Sequence, residues 1–124
     1  MSIDRYGVYL TSDGSGDATG TIHAPPGILR EVLVVNVAAT KPTDNWDLTL
    51  KNTIQGVTHN LLVDETVSQT GAIRYAPGAL GTDGSDGTDL TLTELQVVSW
   101  STISVIGANM GDTKNAWIYV MIEH

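Results

Sequence analysis

The segment ILREVLVVNVA, Ile28 to Ala38, is the most apolar stretch of the chain. A helix is one interpretation, because several of its apolar residues fall near helical spacing, namely Ile28, Leu29, Val32, Leu33 and Val35. Its valines favour the other interpretation, since branching at Cβ restricts a side chain in a helix and suits a pleated sheet. The segment therefore predicts a central strand that is buried on both faces.

The two-residue apolar period of β-strands continues through most of the chain, interrupted at short intervals by Gly, Pro, Asp and Asn. WDLTLKN at Trp46–Asn52 alternates cleanly, a further strand is predicted around Val57–Val63, and the segment NAWIYVMIEH at Asn115–His124 has large apolar residues on both faces. Seven or eight short strands with turn signals about every ten residues predict an all-β fold. We expect a single-domain antiparallel β-sandwich that is jelly-roll-like.

The chain is the length of one domain, since 124 residues hide roughly two-thirds of their unfolded surface in a single core. We expect that domain to span residues 1–124, with a short N-terminal arm at about 1–10 and a long loop at about 71–89. Pro77 and the Gly-rich stretch GTDGSDGTD at Gly81–Asp89 predict that loop. Loops of this length tend to be functional or mobile.

The chain is acidic, with 14 Asp and Glu against 6 Lys and Arg and a net charge of -8. Phosphate backbones and anionic membranes need clustered Lys and Arg, so neither nucleic acid nor membrane is an expected partner. The absence of cysteine excludes disulfides, thiolate metal sites and thiol catalysis. The opening MSIDRYGVYL does not have the pattern of a signal peptide, so we expect a protein made in a cytoplasm.

The stretch GTDGSDGTD raises the possibility of a calcium site, because Asp83, Asp86 and Asp89 recur every three residues among glycines. Calcium takes six to eight oxygen ligands, and an EF-hand loop supplies them at alternate positions with a closing Glu. A spacing of three does not fit that loop, and Asp-Gly pairs form turns for steric reasons alone. The favoured prediction is a solvated loop without a metal.

No catalytic motif is present in the sequence. His23 and His59 are the internal histidines, and neither belongs to an H-E-x-x-H pattern, nor does the chain contain G-x-S-x-G. We therefore expect no enzyme, no catalytic residue and no cofactor. A small hydrolase that assembles its site from distant loops of a β-sandwich is the weaker alternative.

The aromatic residues and the arginines are the remaining candidates for function. Trp46 and Trp117 are in phase with apolar neighbours and predict core or interface positions, whereas Trp100 lies in the break SWS. Arginine is favoured at protein interfaces, and this chain has only three. The candidate interface residues are Arg5, Tyr6, Tyr9, Arg30, Arg74, Tyr75 and Trp117.

Self-association is expected from the strands themselves. Ile28–Val37 and Trp117–Ile122 carry apolar residues on both faces, more than a small two-layer sandwich covers. A homo-oligomeric interface is the simplest cover for the second face, and closed symmetry would also protect edge strands.

The order of these elements resembles small accessory virion proteins of tailed bacteriophages, of the head decoration or cement type. The resemblance covers most of the chain and is carried by TSDGSGDAT, GILREVLVVNV, DNWDLTLKN, IRYAPGAL and the closing TISVIGANMGDTKNAWIYVMIE. It implies a non-enzymatic β-sandwich on the capsid surface of a virion, often a trimer, that clamps neighbouring subunits of the major capsid protein. Such a protein would be made in the host cytoplasm.

A second functional class stays open from the residues alone. The chain could be a carbohydrate-binding β-sandwich module of a fibre or adhesion protein, with an exposed tryptophan as the platform and calcium in the loop at 81–89.

Overall fold

The computed structural model describes residues 2–54, 56–75, 80–82, 89–91, 96–98 and 101–124. Across these residues the chain forms strands and one short 3₁₀ helix, Ala38–Thr40. The strands are β1 Ile3–Thr11, β2 Ala18–Ala24, β3 Gly27–Asn36, β4 Trp46–Ile54, β5 Val57–Val67, β6 Ala72–Tyr75, β7 Leu80–Thr82, β8 Asp89–Thr91, β9 Gln96–Val98, β10 Ser101–Ala108 and β11 Asn115–Glu123. Within that part of the chain, no helix has the length and apolarity needed to cross a membrane.

Eight strands and the short strand β9 build two antiparallel sheets. Sheet A has the order β1-β11-β3-β6, with β9 also pairing with β3, and sheet B has the order β2-β10-β4-β5. The short strands β7 and β8 pair with each other. Without β7, β8 and β9, the strand orders are 1-8-3-6 and 2-7-4-5, which is the arrangement of a jelly roll. The predicted antiparallel, jelly-roll-like β-sandwich is confirmed.

The core lies between the two sheets, where alternate residues of their strands form one hydrophobic cluster. Sheet A contributes Leu10, Leu29, Val32, Val34, Tyr75, Ala116, Ile118, Val120 and Ile122; sheet B contributes Ala18, Ile22, Ala24, Trp46, Leu48, Leu50, Leu61, Leu62, Val67, Ile103 and Val105. Trp46 is fully buried, which confirms its prediction as a core residue. With no Phe in the chain, branched aliphatic side chains make most of this contact.

Strand β3 is central in sheet A, as predicted, because it lies between β11 and β6. The prediction of burial on both faces is wrong for its outer face. Val32 and Val34 are fully buried against sheet B, whereas Leu33 and Val35 are only half-buried on the opposite side. An apolar outer face is therefore built into the middle of sheet A.

A β-bulge interrupts the pairing of β3 with β11. Glu31 pairs with Met121 and Leu29 pairs with Ile122, so Arg30 has no partner in the register. The extra residue keeps both Leu29 and Val32 in the core and leaves Arg30 and Glu31 adjacent on the outer side. The bulge thus provides two neighbouring charged side chains on one face.

A buried polar contact joins the outer strands β5 and β6 of the two sheets. The Tyr75 hydroxyl donates to Asp64 Oδ2, and both residues are 1% exposed. Asp64 Oδ1 also accepts from the backbone N–H of Thr66 at 2.9 Å and from its hydroxyl at 3.3 Å. A buried carboxylate is tolerated when its oxygens accept hydrogen bonds in this way.

The predicted arm and loop contain regular structure. From Ile3 onward the predicted arm belongs to β1, which pairs with β11 along its whole length. The predicted loop at 71–89 includes β6, which pairs with β3, and the β7–β8 pair. Pro77, Asp83 and Asp86 lie outside the described residues.

We predict that Tyr75→Phe lowers the free energy of unfolding by about 1–3 kcal/mol, because it removes one donor from a buried carboxylate. Urea denaturation measures the change. Tyr9→Phe is the matched control, since the Tyr9 side chain is 44% exposed, and a change of less than about 0.5 kcal/mol is expected there. Equal effects at the two tyrosines would contradict the assigned role of the Tyr75 hydroxyl.

Candidate functional site

An aromatic cluster lies on the outer face of sheet A. Tyr9 pairs with Trp117 across β1 and β11, and Tyr119 follows two residues later on the same face. The ring centroids of Tyr9 and Trp117 are 4.8 Å apart and their planes are tilted by 59°. Trp117 and Tyr119 are stacked, with centroids 5.6 Å apart and planes within 6°. Tyr9 and Trp117 remain 44% and 38% exposed, so the cluster is open to solvent.

Gly7 makes room for this cluster. It pairs with Tyr119, and a Cβ at Gly7 would lie 2.5 Å from Cδ1 and 2.8 Å from Cε1 of the tyrosine ring. The ring therefore lies directly over the glycine, an arrangement that covers the exposed backbone of an outer strand. The Arg5 guanidinium stacks on the same ring at 4.7 Å from its centroid, a cation–π geometry.

All three arginines of the chain lie on this face. Arg30 forms an ion pair with Glu123 across β3 and β11. Arg74 Nε lies 2.9 Å from Glu31 Oε2, which links β6 to the bulge of β3. Three arginines against two glutamates leave this group one positive charge, on a chain whose net charge is -8. The excess negative charge of the chain therefore lies outside this group of residues.

The outer faces of the two sheets differ in chemistry. Half-buried Leu33, Val35 and Met121 flank the aromatic cluster on sheet A, and Ile3 at its margin is 55% exposed. The outer face of sheet B instead presents exposed hydroxyl and imidazole side chains, including Thr19, Thr21, His23, Thr53, Thr102 and Ser104. Val63, 42% exposed, and half-buried Ile106 are apolar residues on that face. Among the described residues, the exposed aromatic surface thus belongs to sheet A.

Five of the seven predicted interface residues share this outer face. They are Arg5, Tyr9, Arg30, Arg74 and Trp117, and the structure brings them together from four neighbouring strands. The other two positions lie elsewhere. Tyr6 packs against the core from the inner side of β1, with its hydroxyl 3.3 Å from His124 Nε2.

The structure corrects the prediction of Tyr75 as an interface residue. Tyr75 is fully buried and bonded to Asp64, so its side chain has no surface to offer a neighbouring subunit. Sequence reasoning also missed Tyr119 and Gly7. The alternation Trp117, Tyr119, Met121 contained the signal for Tyr119, whereas the need for glycine at position 7 depends on a cross-strand partner far along the chain.

Among the described residues, no group of three or more histidines, aspartates and glutamates is placed to hold a metal ion. His23 and His59 are exposed on sheet B, as expected of surface histidines. Of the three aspartates in the possible calcium loop, Asp89 begins β8, and the other two are outside the described part of the chain. Trp100 is outside it as well.

No protein-family model matches the chain. A search of curated protein sequences also found no match.

We predict that Gly7→Ala displaces the Tyr119 ring, because the new methyl group would lie less than 3 Å from two ring carbons. The expected loss of stability is about 1–3 kcal/mol, measured by urea denaturation, with a reduced near-ultraviolet circular dichroism signal from the ring stack. Gly14→Ala is the control, because nothing lies within 4 Å of a Cβ at that position. The ring contact is disproved if Gly7→Ala in a Tyr119→Ala background costs as much as it does in the natural chain.

Proposed function

We propose that the protein is a non-enzymatic structural virion protein that binds the outside of a tailed-phage capsid and stabilises it by clamping neighbouring coat subunits. In this proposal the outer face of sheet A contacts the major capsid protein. The protein acts as a homo-oligomer, with a trimer as the proposed state, and its place is the capsid surface of the virion. The stabilisation comes from added contact area, so no reaction is required.

The chemistry of the outer face of sheet A carries this proposal. Buried interface centres are enriched in Tyr, Trp, Met and Arg and depleted in Lys, Asp and Glu. Tyr9, Trp117, Tyr119 and Met121 provide the first group here, and all three arginines accompany them. Arg30 and Arg74 each form an ion pair with a glutamate on this face. A surface with this composition is more favourable in contact with a protein partner than exposed to water.

The size of the face favours multivalent attachment. The four strands β1, β11, β3 and β6 have nine, nine, ten and four residues. With a rise of about 3.3 Å per residue and a spacing of about 4.8 Å between strands, they give a footprint of roughly 500 Å². A standard protein interface covers roughly 800 Å² on each partner, so a single copy would bind weakly. Linked copies bind more tightly because the second contact forms at a high effective concentration. Oligomeric assembly is therefore part of the proposed mechanism.

Carbohydrate binding is the second candidate, and the exposed rings of Tyr9 and Trp117 favour it. Jelly rolls occur in lectin domains as well as in viral capsids, so the fold is compatible with both functions. The two proposals differ in the role of the arginines, which the capsid proposal uses and sugar stacking does not require. They also differ in calcium dependence. Only the carbohydrate proposal places calcium in the loop at 81–89. Under that proposal, added calcium would raise the melting temperature of the protein, and removal of the calcium would reverse the change.

We predict that the purified protein cosediments with capsids assembled from the major capsid protein of the same phage. Trp117→Ala should weaken this binding at least about tenfold, because truncating a central interface tryptophan commonly costs more than about 1.4 kcal/mol. Val63→Ala, at an exposed apolar residue of sheet B, should leave binding unchanged. Melting curves confirm that both variants are folded.

The same experiment separates the two candidate functions. Absence of cosedimentation with capsids, together with retention on a glycan array that is lost in Trp117→Ala, would replace the capsid proposal by the carbohydrate proposal. Equal binding by the Trp117 and Val63 variants would show that another surface contacts the capsid.

A further inference from the structure

Strand β1 forms an open edge of sheet A. It is the outermost strand in the order β1-β11-β3-β6, and its nine residues pair with β11 in one continuous register. Ile3, Arg5, Gly7, Tyr9 and Thr11 are all exposed. In the described part of the chain no strand pairs with the other side of β1.

The hydrogen bonds at the two ends of β1 fix which of its backbone groups face outward. At one end, the Ser2 N–H donates to the His124 carbonyl at 3.0 Å and the His124 N–H donates to the Ser2 carbonyl at 2.9 Å. At the other end, the Ser12 N–H donates to the Lys114 carbonyl at 2.9 Å. Hydrogen-bonded and non-hydrogen-bonded pairs alternate along an antiparallel ladder. Even-numbered residues therefore bond to β11, and the five odd-numbered residues of β1 direct their N–H and C=O groups away from the sheet.

The edge of β1 has few of the devices that usually prevent strand addition. Natural edges are shortened, bulged, or occupied by proline or by charged residues, lysine above all. Strand β1 has nine residues with neither proline nor lysine, its pairing shows no register shift, and its charged residues are Asp4 and Arg5. The other outer strands differ: β5 has two register shifts, β6 has four residues and β2 has seven. Strand β1 is thus the outer strand best suited to accept another strand.

We propose that two copies of the chain pair through β1, antiparallel, about a two-fold axis at Gly7. Each odd-numbered residue then lies opposite an odd-numbered residue of the second copy, so the outward N–H and C=O groups satisfy one another. Arg5 lies opposite Tyr9 of the second copy, and this pairing occurs twice. Ile3 lies opposite Thr11, and Gly7 lies opposite Gly7.

The side chains favour this register over its neighbours. It is the register in which all nine residues of β1 overlap. A shift by one hydrogen-bonding step places Arg5 opposite Gly7 or Thr11 and shortens the overlap, and a further step in one direction opposes Arg5 to Arg5. Like charges directly opposite one another destabilise a sheet, whereas a cation opposite an aromatic ring is favourable. At the axis, Gly7 has no side chain, and the Tyr119 ring already covers its outer side.

The pairing would join the two copies of sheet A into one continuous sheet. Its outer face, with two aromatic clusters and six arginines, would be twice the footprint of one copy and exceed the size of a standard interface on one partner. Use of this doubled face to bind a capsid rests on the proposed function. The pairing itself does not, and it is a two-fold contact that is distinct from the contacts of a trimer.

Cysteine cross-linking tests the register directly, because the natural chain has no cysteine. In the proposed pair, positions 5 and 9 of different copies are about 5.5 Å apart at Cα, within disulfide reach. Positions 5 and 9 of one copy are about 13 Å apart along the strand, too far to bond. The Arg5→Cys/Tyr9→Cys variant should form a covalent dimer on oxidation, and each single variant should not.

Charge reversal provides a second test in solution, read by light scattering of the eluting protein. The natural chain should elute at twice its mass of 13.2 kDa, or at a multiple of that pair. Tyr9→Arg opposes two arginines at both ends of the pair and should weaken it at least about tenfold. Adding Arg5→Glu should restore the pair, since the carboxylate introduced at position 5 would then face the guanidinium introduced at position 9 of the second copy. Thr21→Arg, on sheet B, is the control.

The outcomes separate this proposal from the proposed function. A monomer at about 100 µM, a concentration at which strand pairing of micromolar affinity would be complete, would overturn both the pairing and the proposed self-association. A trimer that is insensitive to Tyr9→Arg and does not cross-link would overturn the pairing and leave the trimer standing. Cross-linking of the single-cysteine variants would refute the register. A dimer that cosediments with no capsid would support the pairing and count against the proposed function.

Discussion

The two-residue period of β11 is the constraint on which the rest of the structure depends. This strand lies between β1 and β3, so both faces of sheet A are organised around it. Its even-numbered residues, Ile118, Val120 and Ile122, are fully buried against sheet B. Its odd-numbered residues carry the Trp117–Tyr119 stack on the opposite side. Since a shift of one residue would exchange the two sets, the register that builds the core also builds the aromatic surface.

Alternation made most of the fold and part of the surface predictable from sequence. It identified the longer strands, the sandwich, and the apolar residues on both faces of β11, because a period of two is a local property. Strands β6 and β7 instead fall in the predicted loop, and β8 begins at its last residue. The burial of Tyr75 was not predictable, since it depends on Asp64 of another sheet. The adjacency of Arg30 and Glu31 on the outer side was equally hidden, because a bulge is set by pairing with β11 rather than by the residues themselves. Both features depend on contacts between strands that are distant in the sequence, and a local pattern does not reveal such contacts.

Charge and apolar surface are separated in this molecule. The acidic residues outnumber the basic ones by eight, a charge that favours solubility through mutual repulsion. The arginines are concentrated on the outer face of sheet A, where two of them are held by Glu31 and Glu123. The three arginines lower the repulsion between copies on the face where the aromatic side chains are exposed. The excess negative charge is carried by the rest of the chain.

The outer faces of the two sheets carry different side chains, so the two sides of the sandwich are not equivalent. Both sheets contribute to the core, yet sheet B presents hydroxyl-bearing side chains to water and sheet A presents rings and arginines. Threonine suits an exposed strand because its branched Cβ favours extended backbone and its hydroxyl remains hydrated. Tyrosine and tryptophan suit a docking surface because they bury a large area at a small cost in side-chain entropy. A partner that makes an apolar contact with this protein therefore binds the outer face of sheet A. Sheet B then faces away from that partner.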